Sequence, residues 1–480
     1  MAPGHMIPLV DMARQFARHD TVTVKATIIL SNLNAPQFRA TIERDKQQGF
    51  DISIRQVTFP SAQLGLPEDF GRSLSSATNL VELMKFVKAI SMLKQPVEDL
   101  LREDRPDCIV SDFLITWTVD LAAKLGIPRL AFHVCGFFPL SVHHSLTKHK
   151  PDSDPFVVPG LPDAVMMTRR QVPDGVLACG ENAEDYDDYE VAAKSIVENA
   201  AEKEVASFGV VVNSFKELEP AYVEHYRRII GRKAWQVGPV ALCNKDTVDK
   251  AQRGNNDDDN NNNNYYLDNW LSAKEPNSVV YVCFGTMTLF SATQLREIAI
   301  GLESCGQPFI WVVPANNDDQ EWLPEGFEER INNEGKGLMI KGWAPQVLIL
   351  EHESVGGFLT HCGWNSLLEG VIAGKPMITW PISAEQFSNE KLVTDILKIG
   401  VSVGNLEWTR TIDVYKGSIT GKNIAKAVNK VMDVGAEEAM EMRKRAKALS
   451  DEAKKAVQRG GSSYNDLDSL LQELMQVKKM

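Results

Sequence analysis

The chain has 480 residues, 44% of them apolar, and a formal net charge of −13. That length predicts two or more domains, and the ordinary apolar content predicts a folded globular protein. The acidic balance argues against a general nucleic-acid or anionic-membrane partner, because no surplus of positive charge is available to neutralise phosphates.

In chain order, Gly4-His5-Met6-Ile7-Pro8 reads as a turn immediately before a first helix, LVDMARQFARH. Strands follow at VTVKATIIL, DISIRQVTF, PDCIVSD and PRLAFHV, then at FGVVVNSF and WQVGPV. Between them NLVELMKFVKAISMLKQPVEDLL reads as one long helix and TVDLAAKLG as a shorter one. Alternation of strands and helices implies a mostly parallel sheet covered on both faces. Residues 244–264, ending in an Asn/Asp run, hold too little apolar surface to fold and read as a disordered linker or loop. Alternation resumes with SVVYVCFGT, and Ser291 to Gln294 predicts a capping box at the next helix. PFIWVV, GLMIKGW, VGGFLTH, PMITWP and GVSVG complete the strands, and the C-terminus is helical from about Thr420, broken at Gly460-Gly461.

Seven cysteines are scattered without a C-x-x-C pair, a reduced-thiol pattern that predicts a cytoplasmic protein. No signal peptide is visible, and no uninterrupted apolar run reaches membrane-spanning length.

The most informative stretch runs from Trp343 to Gln386, WAPQVLILEHESVGGFLTHCGWNSLLEGVIAGKPMITWPISAEQ. Trp343 offers an aromatic face for a base. A buried strand ends at His361, and a helix beginning near Asn365 presents free N–H groups and a positive dipole end to a diphosphate. Glu369, one turn in, suits ribose hydroxyls. Glu385 and Gln386 follow the next strand and supply partners for sugar hydroxyls. A nicotinamide enzyme is not supported, because G-x-G-x-x-G is missing, and the run Gly370 to Pro376 lacks the P-loop spacing. His143, His144 and His149 read as a solvated helix face, and no metal or other cofactor is expected.

This stretch resembles, over its full length, the signature box of plant secondary-product UDP-glycosyltransferases (family 1). The resemblance implies a glycosyltransferase B fold: α/β, with two doubly wound Rossmann-like domains facing across a cleft. The expected division is an N-terminal acceptor domain at 1–243, the linker at 244–264, a UDP-sugar domain at 265–460 and a C-terminal helix at 461–480 packing back on the first domain. It implies UDP contacts from Gly285, Thr286, Trp343, Ala344, Gln346, His361, Asn365, Ser366 and Glu369. Sugar contacts are implied for Cys135, Trp364, Glu385 and Gln386, and a terminal Gln favours UDP-glucose.

The G-H-M-I-P run resembles the family's turn in which the histidine is the general base, here His5. An unperturbed imidazole titrates near pH 6.5 and can accept a proton in the cell. Asp112 is its implied partner; the other reading is a cap on the helix beginning near Ile115. The implied reaction is inverting, metal-independent glucosyl transfer to a hydroxyl of a small lipophilic acceptor, by a monomeric enzyme. Leu33–Phe38, LNAPQF, resembles the subgroup acting on flavonoids, coumarins, steroids and triterpenoids, and Leu114, Phe137 and Phe138 are candidate acceptor contacts. Two departures stand out. The family's first apolar strand ahead of the G-H-M turn is not in this chain, and Cys135 stands where a hydroxyl residue is usual. The competing readings are another UDP-sugar, such as galactose or glucuronate, and a catalytically silent nucleotide-sugar binder, which the presence of His5 and Asp112 disfavours.

Overall fold

The computed structural model describes residues 3–77, 79–173, 176, 188–253, 261–313, 322–415, 417 and 419–479. The chain forms two compact units. The first comprises Met1–Ser141, Ala178–Lys245 and Lys454–Met480, the second Val142–Leu177 and Asp246–Ala453.

In the first unit, β1 (Ala26–Ser31) pairs in parallel with β2 (Ile52–Val57). A separate parallel sheet runs in the order β3 (Ile109–Asp112), β4 (Arg129–His133), β5 (Gly209–Val212), β6 (Ala234–Gln236). The parallel sheet is therefore in two pieces among the described residues. Leu130, Phe132, Val211 and Trp235 form one core with Met12 and Phe16 of the helix Pro3–Ala17 and with Leu467, Leu470, Leu471 and Leu474 of the helix Ser462–Lys479. The last helix is also tied to β6, where Gln236 N donates to Asp466 Oδ2 at 2.9 Å.

In the second unit six parallel strands take the order β9-β8-β7-β10-β11-β12. These are β7 (Val279–Cys283), β8 (Phe309–Val313), β9 (Gly337–Lys341), β10 (Val355–Thr360), β11 (Met377–Thr379) and β12 (Gly400–Ser402). Val279, Val280, Tyr281 and Val282 of β7 are all fully buried, as expected of a central parallel strand covered on both faces. Val280 and Val282 enter one core with Ile298, Ile424 and Val428, whereas Val279 and Tyr281 enter another with Leu271, Leu350 and Phe358. Gly301 lets two helices meet on the first face, since a Cβ there lies 2.8 Å from Ile424 Cβ and 2.9 Å from the Gly421 carbonyl.

Several sequence expectations need correction. The long helix is two, Leu80–Met92 and Lys94–Asp104. Pro96 explains the break: it has no N–H for Met92, and its ring crowds that carbonyl. The linker 244–264 is partly helical, at Thr247–Gln252 and from Asn261 onward in Asn261–Ser272; residues 254–260 lie outside the described ones. Leu267 and Leu271 bury into the second core and anchor that helix. The capping box forms only half: Ser291 accepts from Gln294 N at 3.2 Å, but the Gln294 amide turns to Ile419, donating to its carbonyl at 2.8 Å.

Candidate functional site

The first helix begins at Pro3, so His5 stands in its first turn rather than in a turn ahead of it. The helix is fixed by its apolar face: Met6, Ile7 and Val10 bury against Ile28, Leu30 and Phe38. This burial anchors the helical turn that carries His5. His5 Nδ1 lies 2.7 Å from Asp112 Oδ2, with the imidazole about one-quarter exposed and the carboxylate fully buried.

Asp112 ends β3, and its Oδ1 also accepts from Leu114 N at 2.9 Å, a turn contact and not a helix cap, because the next helix is Trp117–Leu125 with Thr116 at its N-cap. Burial pushes this carboxyl up, but the charge and hydrogen bond of His5, with the Leu114 N–H, hold it below the usual range. The pairing makes Nδ1 the donor, which leaves Nε2 the basic nitrogen. Phe113 stacks on His133 at 4.5 Å between ring centres and faces His5 at 6.3 Å.

Cys135 follows β4 and is partly buried; Leu114 is exposed. Phe137 and Phe138 are not surface contacts. Both are fully buried, packed on Tyr226 and Tyr222, and their N–H groups donate to the Glu219 carboxylate at 2.9 and 2.7 Å. Their aromatic faces are consumed by the core, which removes them as acceptor contacts.

The second unit gathers polar groups beyond the carboxyl ends of β7 and β10. The strand β10 ends at Thr360, and the next helix is Trp364–Ala373, capped at Gly363. Between them Cys362 adopts φ +65°, a left-handed conformation that non-glycine residues hold only where surroundings enforce it. Here Asn389 Nδ2 donates to the Cys362 carbonyl at 2.9 Å. This turn places the His361 ring between two glycines. A Cβ on Gly363 comes within 2.4 Å of His361 Nε2, and one on Gly285, at φ +71°, within 2.8 Å of the ring.

The Glu369 carboxylate is held on both oxygens: Oε1 accepts from Arg253 Nη1, and Oε2 from Gln346 Nε2 at 2.6 Å. Gln346 Nε2 also approaches Ser366 Oγ at 3.2 Å, and Gln346 Oε1 accepts from the Tyr281 hydroxyl at 3.2 Å. His361, Ser366, Glu369, Gln346 and Gly285 are thus brought together in one unit. Trp343 is partly buried and Ala344 buried; Trp364 is buried and Asn365 partly buried at the helix start; Thr286 is exposed beside Gly285. Glu385 stands at the N-cap position of the helix Gln386–Lys391 without a side-chain cap bond, and it accepts from Asn389 Nδ2 at 3.3 Å. Gln386 turns its carbonyl oxygen inward to the N–H groups of Ile382 and Ser383, at 2.8 and 2.9 Å. Arg253 is the member that sequence reasoning missed, because it lies in the segment read as featureless.

Desolvation lowers the His361 imidazole to about 4, so the ring is neutral at pH 7. A histidine whose folded-state value lies below its unfolded value of about 6.5 leaves stability at its full value above that pH and costs stability as pH falls from about 6.5 toward 4. The loss is on the order of 3 kcal/mol. Urea midpoints of the wild type and His361→Gln at pH 7 and 4.5 test this: the variant should lose less stability, and parallel losses would contradict it.

Two α/β units built on parallel sheets, with polar side chains gathered beyond strand ends, define a class, the two-Rossmann-domain glycosyltransferases. A family model described as UDP-glucoronosyl and UDP-glucosyl transferase matches residues 84–444. The chain is 48% identical over 480 residues to scopoletin glucosyltransferase of Nicotiana tabacum, covering 99% of this chain and 96% of that protein. It is 46% identical over 483 residues to anthocyanin 3'-O-beta-glucosyltransferase of Gentiana triflora, covering 99% and 96%. The crystal structure of Glycyrrhiza uralensis UGT73P12, complexed with glycyrrhetinic acid 3-O-monoglucuronide, superposes with a TM-score of 0.89 at 41% identity, covering 100% of this chain and 94% of that one. The chain belongs to the UDP-glucuronosyl and UDP-glucosyl transferase family and is a UDP-sugar-dependent glycosyltransferase. Among the described residues no helix is long and apolar enough to cross a membrane.

Proposed function

We propose that this enzyme transfers glucose from UDP-glucose, with inversion, to a hydroxyl of a small lipophilic acceptor of the phenolic coumarin or flavonoid type. The observation that carries the reading is the His5–Asp112 pair, a base whose tautomer is set by a buried carboxylate. His5 Nε2 removes the acceptor's proton as its oxygen attacks the anomeric carbon from the face opposite UDP. Asp112 stabilises the imidazolium that forms. The anomeric C–O bond to the diphosphate breaks, and UDP departs with the electron pair.

The N–H groups and positive dipole end at the start of the Trp364–Ala373 helix, with Ser366 and the neutral His361, favour that leaving diphosphate. Trp343 stacks the uracil, and Glu369 takes the ribose hydroxyls. Trp364, Glu385 and Gln386 serve the sugar. Cys135 is a weaker hydrogen-bond partner than the hydroxyl it replaces, and Leu114 is the remaining candidate acceptor contact. The coumarin and anthocyanin names of the two relatives support the acceptor class. The decisive experiment is a panel of UDP-sugars against coumarin, flavonoid and triterpenoid acceptors, read by mass spectrometry. Product from another sugar with none from UDP-glucose would refute the donor assignment.

Gln386→His should lower kcat/KM for UDP-glucose by about tenfold or more. The amide oxygen serves two backbone N–H groups at once, and an imidazole has a single acceptor nitrogen with which to replace it. The side chain therefore shifts, and the sugar contacts with it. Initial rates with UDP-glucose and UDP-galactose give the answer; unchanged kinetics for both remove Gln386 from the sugar site.

A further inference from the structure

We propose that Arg253 is a positioning residue for the donor nucleotide, holding the Glu369 carboxylate in the orientation that receives the ribose hydroxyls. This rests on the assignment of Glu369 to the ribose made above. Arg253 follows the short helix Thr247–Gln252, whose Lys250 Nζ reaches both Glu351 oxygens at 2.9 and 2.7 Å. Glu351 ends the helix Gln346–Glu351, which also carries Gln346 at its start. Both side chains holding Glu369 are thereby fixed to one framework.

The ion pair is sheltered: the Arg253 side chain is 10% exposed and that of Glu369 7%. A carboxylate this buried needs a counter-charge, and the guanidinium supplies it. Arg253 takes Oε1 and Gln346 takes Oε2, so the group cannot rotate. Each carboxylate oxygen has a second lone-pair direction, so a clamped Glu369 still accepts from two vicinal hydroxyls. Removing Arg253 leaves the carboxylate held on one side only, and the nucleotide must then order it on binding. Gln346 is fixed in turn by the Tyr281 hydroxyl, which donates to its Oε1 at 3.2 Å.

Calorimetric titration with UDP tests this on the full-length protein. Arg253→Ala should weaken UDP about tenfold, as expected for a lost charge-assisted hydrogen bond. KM for UDP-glucose should rise in proportion while kcat holds, and Arg253→Lys should recover part of the loss. In a Glu369→Gln background, Arg253→Ala should cause no further loss. UDP lacking both ribose hydroxyls should bind wild type and Arg253→Ala alike. Unchanged UDP affinity in Arg253→Ala, with Glu369→Gln impaired, overturns the positioning role alone. An equal loss in the Glu369→Gln background, or for the dideoxy nucleotide, also overturns it, because Arg253 would then act independently of Glu369. Wild-type UDP affinity in Glu369→Gln instead removes the ribose assignment itself.

Discussion

His5→Ala should lower turnover by about 10²- to 10⁴-fold, the usual contribution of a positioned base, and leave UDP affinity unchanged. The reason is where the residue sits. His5 belongs to the first unit, with Asp112 at 2.7 Å, whereas Glu369, Gln346 and His361 are contributed by the second. Asp112→Asn should fall in the same range, because a neutral amide cannot stabilise the imidazolium and no longer selects the tautomer with Nε2 basic. The two losses should not add, since both substitutions disable one proton-transfer device. Initial rates at saturating donor, with a simple phenol as acceptor, make the measurement. A loss of no more than about threefold in His5→Ala is far smaller than that expected of a base and would remove His5 from the chemistry.

Arg14→Met should destabilise the first unit by about 3–5 kcal/mol, the usual result of removing one partner of a buried ion pair. Arg14 is 1% exposed. Its Nε donates to Asp45 Oδ2 at 2.6 Å, its Nη2 approaches Asp45 Oδ1 at 3.3 Å, and its Nη1 donates to Asn244 Oδ1 at 2.5 Å. The Asn244 amide in turn donates to Asp11 at 2.9 Å. One guanidinium thereby joins the His5 helix, the helix Ala35–Gln47 and the segment after β6. Methionine fills the volume but leaves Asp45 buried with Arg18 as its remaining cation. Replacing Asp45 by leucine in the same protein should restore part of the loss, because an apolar pair removes the stranded charge. Urea denaturation followed by tryptophan fluorescence reports it; a midpoint shift equivalent to less than about 1 kcal/mol contradicts the burial argument.

The sequence by itself determined the elements and the order in which most candidate donor groups occur. The strands β7 to β12 are legible because apolar runs bounded by turn residues obey local rules. His361 and Glu369 are legible because a strand end and the following helix turn place them by covalent connection, a few residues apart. The break at Pro96 follows from local sterics too, although the run reads as one long helix.

Tertiary structure decided the rest. That His5 meets Asp112, 107 residues away, depends on the first helix packing its apolar face, not on any local signal. Phe137 and Phe138 are core rather than contact because Tyr222, Tyr226 and Glu219 fold over them, and apolar residue type is the same in either role. Arg253 was invisible because a polar stretch shows no periodicity, yet it closes on a carboxylate 116 residues along the chain. Local geometry fixes what a residue can be, whereas the partner of a buried charge is chosen by desolvation, which acts only once the chain has closed around it.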